Sequence, residues 1–202
     1  MEEKQCLQQI IRERRAIRSY EDRPVDRDLI EKLLDGAQWA PSAHNRQPWR
    51  FAVLTAYDHK TDLAQTMGKR LYEDRLADGD PLEDIERDVA RSQARISGAP
   101  VVIVVFLSME DMDRYADGRR SQAEHMMAVQ SVAMAAQNLW LMAHAEGLGA
   151  CWLCAPLFVP KLVNDVLRVP EDWEAQGLMT LGWPTEKREK GRRPWQEAVR
   201  FY

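Results

Sequence analysis

Ser121–Glu146, SQAEHMMAVQSVAMAAQNLWLMAHAE, decides the fold. Met126, Met127, Val129, Val132, Ala133, Met134, Ala136, Leu139, Trp140, Leu141 and Ala143 leave it almost no polar face. A helix apolar all round belongs in the middle of a core or at a subunit interface. Gly147 and Gly149 stop it. Beyond them, Ala150–Leu153 reads as a short strand, Pro160–Arg168 as a helix and Gln176–Gly182 (QGLMTLG) as a last core strand. Before it, Pro100–Leu107 (PVVIVVFL) is a continuous apolar run bounded by turn signals, hence a buried strand. Asp58–Ala77 and Pro81–Ser97 read as two polar, charged helices joined by the turn Asp78-Gly79-Asp80-Pro81. They look the least core-like and would make a natural lid over a site. Trp49–Thr55 is expected as a strand. Asp26 is a plausible N-cap for a helix through Leu29, Ile30, Leu33, Leu34 and Ala37, with Pro41 ending it. Residues 3–15 place Cys6, Leu7, Ile10 and Ile11 on one helical face. The order α, α, β, α, α, β, α, β, α, β predicts an α+β fold, with a small, mainly antiparallel sheet packed on a long central helix.

The length, 202 residues, suits one domain over 1–202. Its tail, about 183–202, holds Pro184, Pro194 and the basic run Lys187, Arg188, Lys190, Arg192 and Arg193, and reads as an arm. A net charge of −4 argues against a nucleic-acid partner, which usually selects a basic excess. No apolar run is long enough to cross a bilayer. The start, MEEKQCLQQIIRERR, is charged and amphipathic, unlike a secretory signal, so a cytoplasmic location is expected. The three cysteines, Cys6, Cys151 and Cys154, are an odd count that suits a reducing compartment. Cys151 and Cys154 form a C-x-x-C without a second ligand pair. Positions three apart on a strand face opposite ways, so the plain reading is two small, half-buried residues.

No metal site stands out among His44, His59, His125 and His144. Nucleophile-elbow, phosphate-loop and dinucleotide motifs are also missing. If the chain is an enzyme, a bound cofactor carries the chemistry. Arg12, Arg14, Arg15 and Arg18 could bind a phosphate through planar, multi-donor geometry. Alone they could equally be a solvated basic helix end. Some twenty residues on, Ala40–Phe51 (APSAHNRQPWRF) offers small residues and the carboxamides Asn45 and Gln47, suited to the polar edge of a flavin. Alone these could simply satisfy a turn. Trp39 and Trp49 are expected in the core rather than stacked on a ligand.

Together the pieces resemble the FMN-dependent nitroreductase family over nearly the whole chain, from about residue 10. The resemblance rests on R-R-A-I-R-S-Y (Arg14–Tyr20) followed by Pro24-Val25, and on A-P-S-A-x-N-x-Q-P-W (Ala40–Trp49). A-A-Q-N-L (Ala135–Leu139) and G-L-G-A-C-W (Gly147–Trp152) complete it. Within the family, G-L-G-A-C-W-L-C-A-P-L-F and V-P-E-D-W-E (Val169–Glu174) look most like the domain fused to the glutamate ligase of deazaflavin coenzyme biosynthesis.

The resemblance implies a homodimer with FMN in grooves at the subunit interface and NADH or NADPH as electron donor. It implies that Arg14, Arg15 and Arg18 contact phosphate, ribityl chain and pyrimidine edge. Pro41, Ser42, Ala43 and Asn45 would contact the flavin from the other subunit, with Gln47 fitting the same pattern. Cys154 and Ala155 would present backbone near flavin N5. Lys190 and Arg192 would close on the phosphate, with Arg193 a near alternative. No side chain is expected to be catalytic in its own right, and no metal is implied. Ala16 stands where a serine is frequent, and Cys154 where several members have an acidic residue. The acceptor would be a nitroaromatic, a quinone or an unsaturated deazaflavin precursor. Alternatives are a flavin- or deazaflavin-binding protein without turnover, and a relative of the enzymes that fragment reduced FMN with oxygen to build a cobalamin ligand.

Overall fold

The computed structural model describes residues 3–202, with side chains from Cys6 onward; Met1 and Glu2 of the charged start lie outside the described residues. Its elements run α1 (Glu3–Glu13), α2 (Arg27–Gln38), β1 (Trp49–Leu54), α3 (Tyr57–Ala77), α4 (Leu82–Ser97), β2 (Val101–Ser108), α5 (Gly118–Ala145), β3 (Gly149–Leu153), α6 (Pro160–Leu167) and β4 (Trp173–Gly182). This is the order read from the sequence.

The sheet has the order β1-β2-β4-β3, with every neighbouring pair antiparallel. β2 lies at its centre and is buried along its whole length. That is why its sequence shows no alternation: both faces are covered. On one face Val101, Ile103, Val105 and Leu107 pack with Leu33 and Ala37 of α2 and with Val132, Ala135, Leu139 and Ala143 of α5. On the other, Val102, Val104 and Phe106 pack with Leu63, Ala64 and Met67 of α3, Ile96 of α4 and Val163 of α6.

That second face corrects the reading of α3 and α4 as the least core-like part. Lys60, Leu63, Ala64, Met67 and Gly68 form the buried stripe of α3. The stripe is narrow and includes a lysine and a glycine, so the sequence looks polar throughout. Lys60 is tolerated because its Nζ donates to the carbonyls of Ala99 (2.6 Å) and Pro100 (3.1 Å). Burial pushes its pKa down.

α5 buries one face and leaves the other open. Met126 and Met134 are 51% and 39% exposed in the single chain, so of the two places expected for this helix, core or subunit interface, the chain's own core covers only one face. Trp49 is buried and its Nε1 donates to Gln38 Oε1 at 2.9 Å. Trp39 is 81% exposed, against the expectation of a core residue. Gly147 ends α5 with φ +80°, a conformation that favours glycine. Gly177 of β4 is required by close approach: a Cβ there would lie 2.2 Å from the Trp152 ring. Residues 183–202 contain one short 3-10 turn, Trp195–Ala198, and are mostly exposed. Among the described residues no helix is long and apolar enough to cross a membrane.

Candidate functional site

The segment Arg14–Tyr20 runs alongside β3. Ala16 bridges Ala150 in parallel, and the Ile17 N–H donates to the Ala150 carbonyl at 3.0 Å. Ala16 thus contributes backbone, and Ile17 anchors the segment in the core. Arg14, Arg15 and Arg18 around them are half-buried. The Arg14 guanidinium sits 4.0 Å over the Trp140 ring of α5, a cation–π contact. Burial lowers its pKa, and the charges of Arg192 and Arg15 lower it further. Arg15 donates to the carbonyls of Arg12 and Arg14, yet its Nε is buried without a partner. The Arg18 N–H donates to Glu186 Oε1 at 3.0 Å, while its side-chain Nε is likewise buried without a partner. The Tyr20 hydroxyl donates to the Ile17 carbonyl at 2.6 Å and meets Thr180 Oγ1 at 2.8 Å; burial raises its pKa.

The loop after α2 is strained. His44, Asn45 and Gln47 have φ of 49°, 56° and 51°, in the left-handed region that non-glycine residues avoid. Such strain persists only where surroundings impose it, and it concentrates at functional sites. Here Ser42 Oγ accepts the Gln47 N–H (3.0 Å), and Ser131 Oγ on α5 accepts the Ala43 N–H (3.2 Å). Gln47 Nε2 donates to Asn45 Oδ1 at 3.3 Å, so the two carboxamides partly satisfy each other. Pro41, Asn45 and Gln47 are exposed; Ser42 and Ala43 are half-buried. An ion pair from Arg46 to Asp113 (2.7 Å) ties the loop to the segment before α5.

Cys154 is exposed just past β3, and Ala155 is half-buried beside it. The Trp152 Nε1–H donates to Cys154 Sγ at 3.2 Å. Cys151 is buried, and desolvation pushes its thiol pKa up. The two cysteines are therefore not equally half-buried: one is sealed and one open.

Lys190 and Arg192 are exposed on the arm. Lys190 shares with Arg15, Ile17, Gly149, Glu186 and Arg188 the wall of a cavity of about 640 Å³. The fold thus brings Arg15 and Arg192 within electrostatic range of Arg14, and Arg15 and Lys190 line one cavity. It does not bring the 41–47 loop there. The loop is anchored at Ser131 and the arginine segment at Trp140. These are nine residues apart on α5, about 13 Å at the usual helical rise. Two further side chains line this cavity, and a third, Arg95, feels the charge of Arg18. Glu186 and Arg188 hid in the arm's basic run, and Arg95 hid among the charges of α4. Glu186 accepts from the Arg188 Nε at 2.8 Å, and burial lowers the Arg95 pKa, with the positive charge of Arg18 adding to it. Only the three-dimensional pairing pattern separates Arg95 from its neighbours.

The family model described as "Nitroreductase family" matches residues 11–183, from the end of α1 to the end of β4. The chain belongs to the Nitroreductase family. Among relatives of this nitroreductase-family protein is the 5,6-dimethylbenzimidazole synthase of Rhodospirillum rubrum. It is 30% identical over 177 residues, covering 86% of this chain and 80% of the relative. An NADH dehydrogenase of Thermus thermophilus is 28% identical, covering 86% and 84%. A protein of Desulfovibrio desulfuricans described as a nitroreductase, solved in complex with FMN, superposes with a TM-score of 0.72. It is 27% identical and the match covers 96% and 94% of the two chains. A BluB-like flavoprotein from Clostridium difficile reaches a TM-score of 0.78 at 22% identity over 97% and 98%, a likeness of fold. The nitroreductase-like α+β fold expected from the motifs is the fold observed, and membership supports a flavin oxidoreductase.

Proposed function

We propose that this nitroreductase-family protein is an FMN-dependent oxidoreductase that moves electrons from NADH or NADPH to a small organic acceptor. The observation that carries the reading is a surplus of guanidinium donors. Arg15 and Arg18 each keep a buried Nε without a partner, and burial lowers the basicity of Arg14, with the charges of Arg192 and Arg15 adding to it. Left alone, such crowding is unfavourable; a phosphate-bearing, anionic ligand relieves it. These residues fit FMN in number, charge and planarity.

Arg14, Arg15, Lys190 and Arg192 would hold the phosphate. Arg18 would face the pyrimidine edge, where its charge favours the reduced cofactor. Cys154 and Ala155 would offer backbone beside the ring. When bound, FMN supplies the hydride-accepting and electron-releasing chemistry. The protein's own part is placement, charge and exclusion of water.

A second subunit completes this site. Pro41, Ser42, Ala43, Asn45 and Gln47 lie away from the arginines of their own chain, on a strained loop whose carboxamides have no ligand there. The open face of α5, with Met126 and Met134, offers apolar area for a homodimer. In that dimer each loop would reach the partner's cofactor. The chain would work as one domain in the cytoplasm, with no nucleic-acid or membrane partner. Acceptors to consider are nitroaromatics, quinones and unsaturated deazaflavin precursors, the last because of the G-L-G-A-C-W-L-C and V-P-E-D-W-E motifs.

The deciding experiment loads purified protein with FMN and follows NADH and NADPH oxidation across an acceptor panel containing all three classes. Turnover with at least one acceptor, and a melting temperature that rises with added FMN, are expected. Protein that gains no stability from FMN and passes no electrons would refute the reading. The relative named 5,6-dimethylbenzimidazole synthase favours a second reading, in which the flavin is consumed. Product analysis after aerobic reduction of excess FMN distinguishes it: a fragmented ring supports consumption, and intact flavin excludes it.

A further inference from the structure

Glu124 of α5 is fully buried, and no part of the proposed redox site uses it. Its Oε1 accepts the Asp113 N–H at 3.2 Å, and its Oε2 is buried without a partner. An apolar side chain of similar size would fill the same space without leaving an unsatisfied polar atom. What this carboxyl group does hold is the segment before α5. Asp113 of that segment pairs through Oδ1 with Arg46 Nη2 at 2.7 Å, and Asp111 pairs with Arg50 Nη2 at 3.3 Å. Arg50 Nη1 in turn donates to the Gln47 carbonyl at 3.1 Å. The segment therefore grips the 41–47 loop on both sides of the left-handed Gln47.

Ser131, two turns after Glu124, lies on the same buried face of α5, about 10 Å along the helix. Its Oγ accepts the Ala43 N–H at 3.2 Å. One helix thus carries two posts: Ser131 takes the start of the loop directly, and Glu124 takes its end through Asp113 and Arg46. Between the posts lie His44 and Asn45, both at positive φ, with Gln47 just beyond. Such a run of non-glycine residues does not hold this conformation by local preference; tertiary contacts impose it. Resting on the flavin reading above, in which this loop meets the partner subunit's cofactor, we propose that Glu124 is a positioning residue: acting through Asp113 and Arg46, it keeps the loop in its binding shape before any ligand arrives. The loop then enters the site preformed, and no affinity is lost to ordering it.

The test compares wild type with Glu124→Met, Glu124→Gln and Asp113→Asn. Hydrogen–deuterium exchange of the peptide spanning residues 41–47 in ligand-free protein reads the loop, and fluorescence quenching reads FMN affinity. Glu124→Met removes the acceptor and keeps the bulk. Its ligand-free melting temperature should equal or exceed that of wild type, while loop exchange quickens and FMN affinity falls, each about tenfold. A residue that only filled the core would instead lower the melting temperature and leave loop exchange unchanged. Glu124→Gln keeps an acceptor at Oε1 and should recover most of both effects. Asp113→Asn weakens only the partly exposed link to Arg46 and should move both readouts the same way, by about threefold, without touching the helix. Loop exchange at the wild-type rate in folded Glu124→Met, or in Asp113→Asn if the methionine variant does not fold, overturns the tether. Faster exchange with unchanged FMN affinity overturns the positioning role and leaves the flavin reading intact. Wild-type protein that binds no FMN overturns the flavin reading, and with it the loop's role toward the cofactor; the exchange rates then still show whether Glu124 holds the loop.

Discussion

The helical pair α3–α4 and the arginine segment with its arm are both rich in guanidinium groups, and they treat them in opposite ways. On the helical pair Arg70 meets Asp74 (2.7 Å), Arg75 meets both Asp80 and Asp88 (2.6 Å each), and Arg87 and Arg91 meet Asp84 and Asp88. The Arg75 pairs are half-buried and the others largely exposed; each exposed pair contributes little, but together they leave the surface neutralised. On the other side the charges of Arg15 and Arg192 bear on Arg14, and the Nε atoms of Arg15 and Arg18 are buried without partners. The same side-chain chemistry is closed in one region and left open in the other. Stability explains the first arrangement. The ligand proposed above would explain the second. Arg95 belongs by sequence to the first region and by its neighbours to the second.

The contrast predicts that damage to α3 harms folding and not the site. Leu63 is fully buried between α3 and β2. Leu63→Ala should therefore lower stability by about 2–5 kcal/mol, a typical cost of a large-to-small core change. Denaturant unfolding measures it, and FMN affinity of the folded variant should match wild type. A folded variant that loses FMN would restore α3 as a lid and blur the division between the regions.

Arg18→Ala attacks the open side and should do the reverse. Losing a charged donor to an anionic ligand costs about 1.5–3 kcal/mol, or roughly 10- to 100-fold in the FMN dissociation constant. The ligand-free protein should melt no lower than wild type, since the substitution removes a like charge from a crowded basin. Unchanged affinity, or a large loss of ligand-free stability, would move Arg18 into the structural class.

The fold was legible because its signals are local. The apolar run of β2, the glycine stop after α5 and the proline after α2 each act within a few residues. What escaped had causes at long range. α3 looked polar because two of its five buried positions are Lys60 and Gly68, and Lys60 is acceptable only through two carbonyls some forty residues away. Trp39 was expected inside on composition, yet Gln38 and Trp49 close the core without it. The candidate site divides in the same way. Arg14, Arg15 and Arg18 stand in one short motif and are readable as a group. Arg95 and Glu186 join them only after α4 and the arm have folded back, and no spacing rule connects residues 18, 95 and 186.

The smallest effect is expected on the closed side, at Asp88. Its carboxyl pKa is held below the ordinary value, chiefly by the hydrogen bond from Arg75, with the charges of Arg91 and Arg87 adding to it. A carboxylate with a depressed folded-state pKa stabilises the fold above its unfolded pKa, about 3.9, and that contribution is lost as pH falls through the lower, folded value. Asp88→Asn should thus melt slightly below wild type at pH 7. The gap should narrow as the pH drops below about 4 and close once wild-type Asp88 is itself protonated. FMN affinity should not change at any pH where both proteins are folded. Melting curves across that range, with FMN titrations beside them, read both quantities. A gap that survives full protonation would mean that Asp88 acts through packing rather than charge. A change in FMN affinity would mean that freeing Arg75 and Arg91 disturbs the neighbouring Arg95, and that the closed side keeps its pairs partly to hold the open side in place.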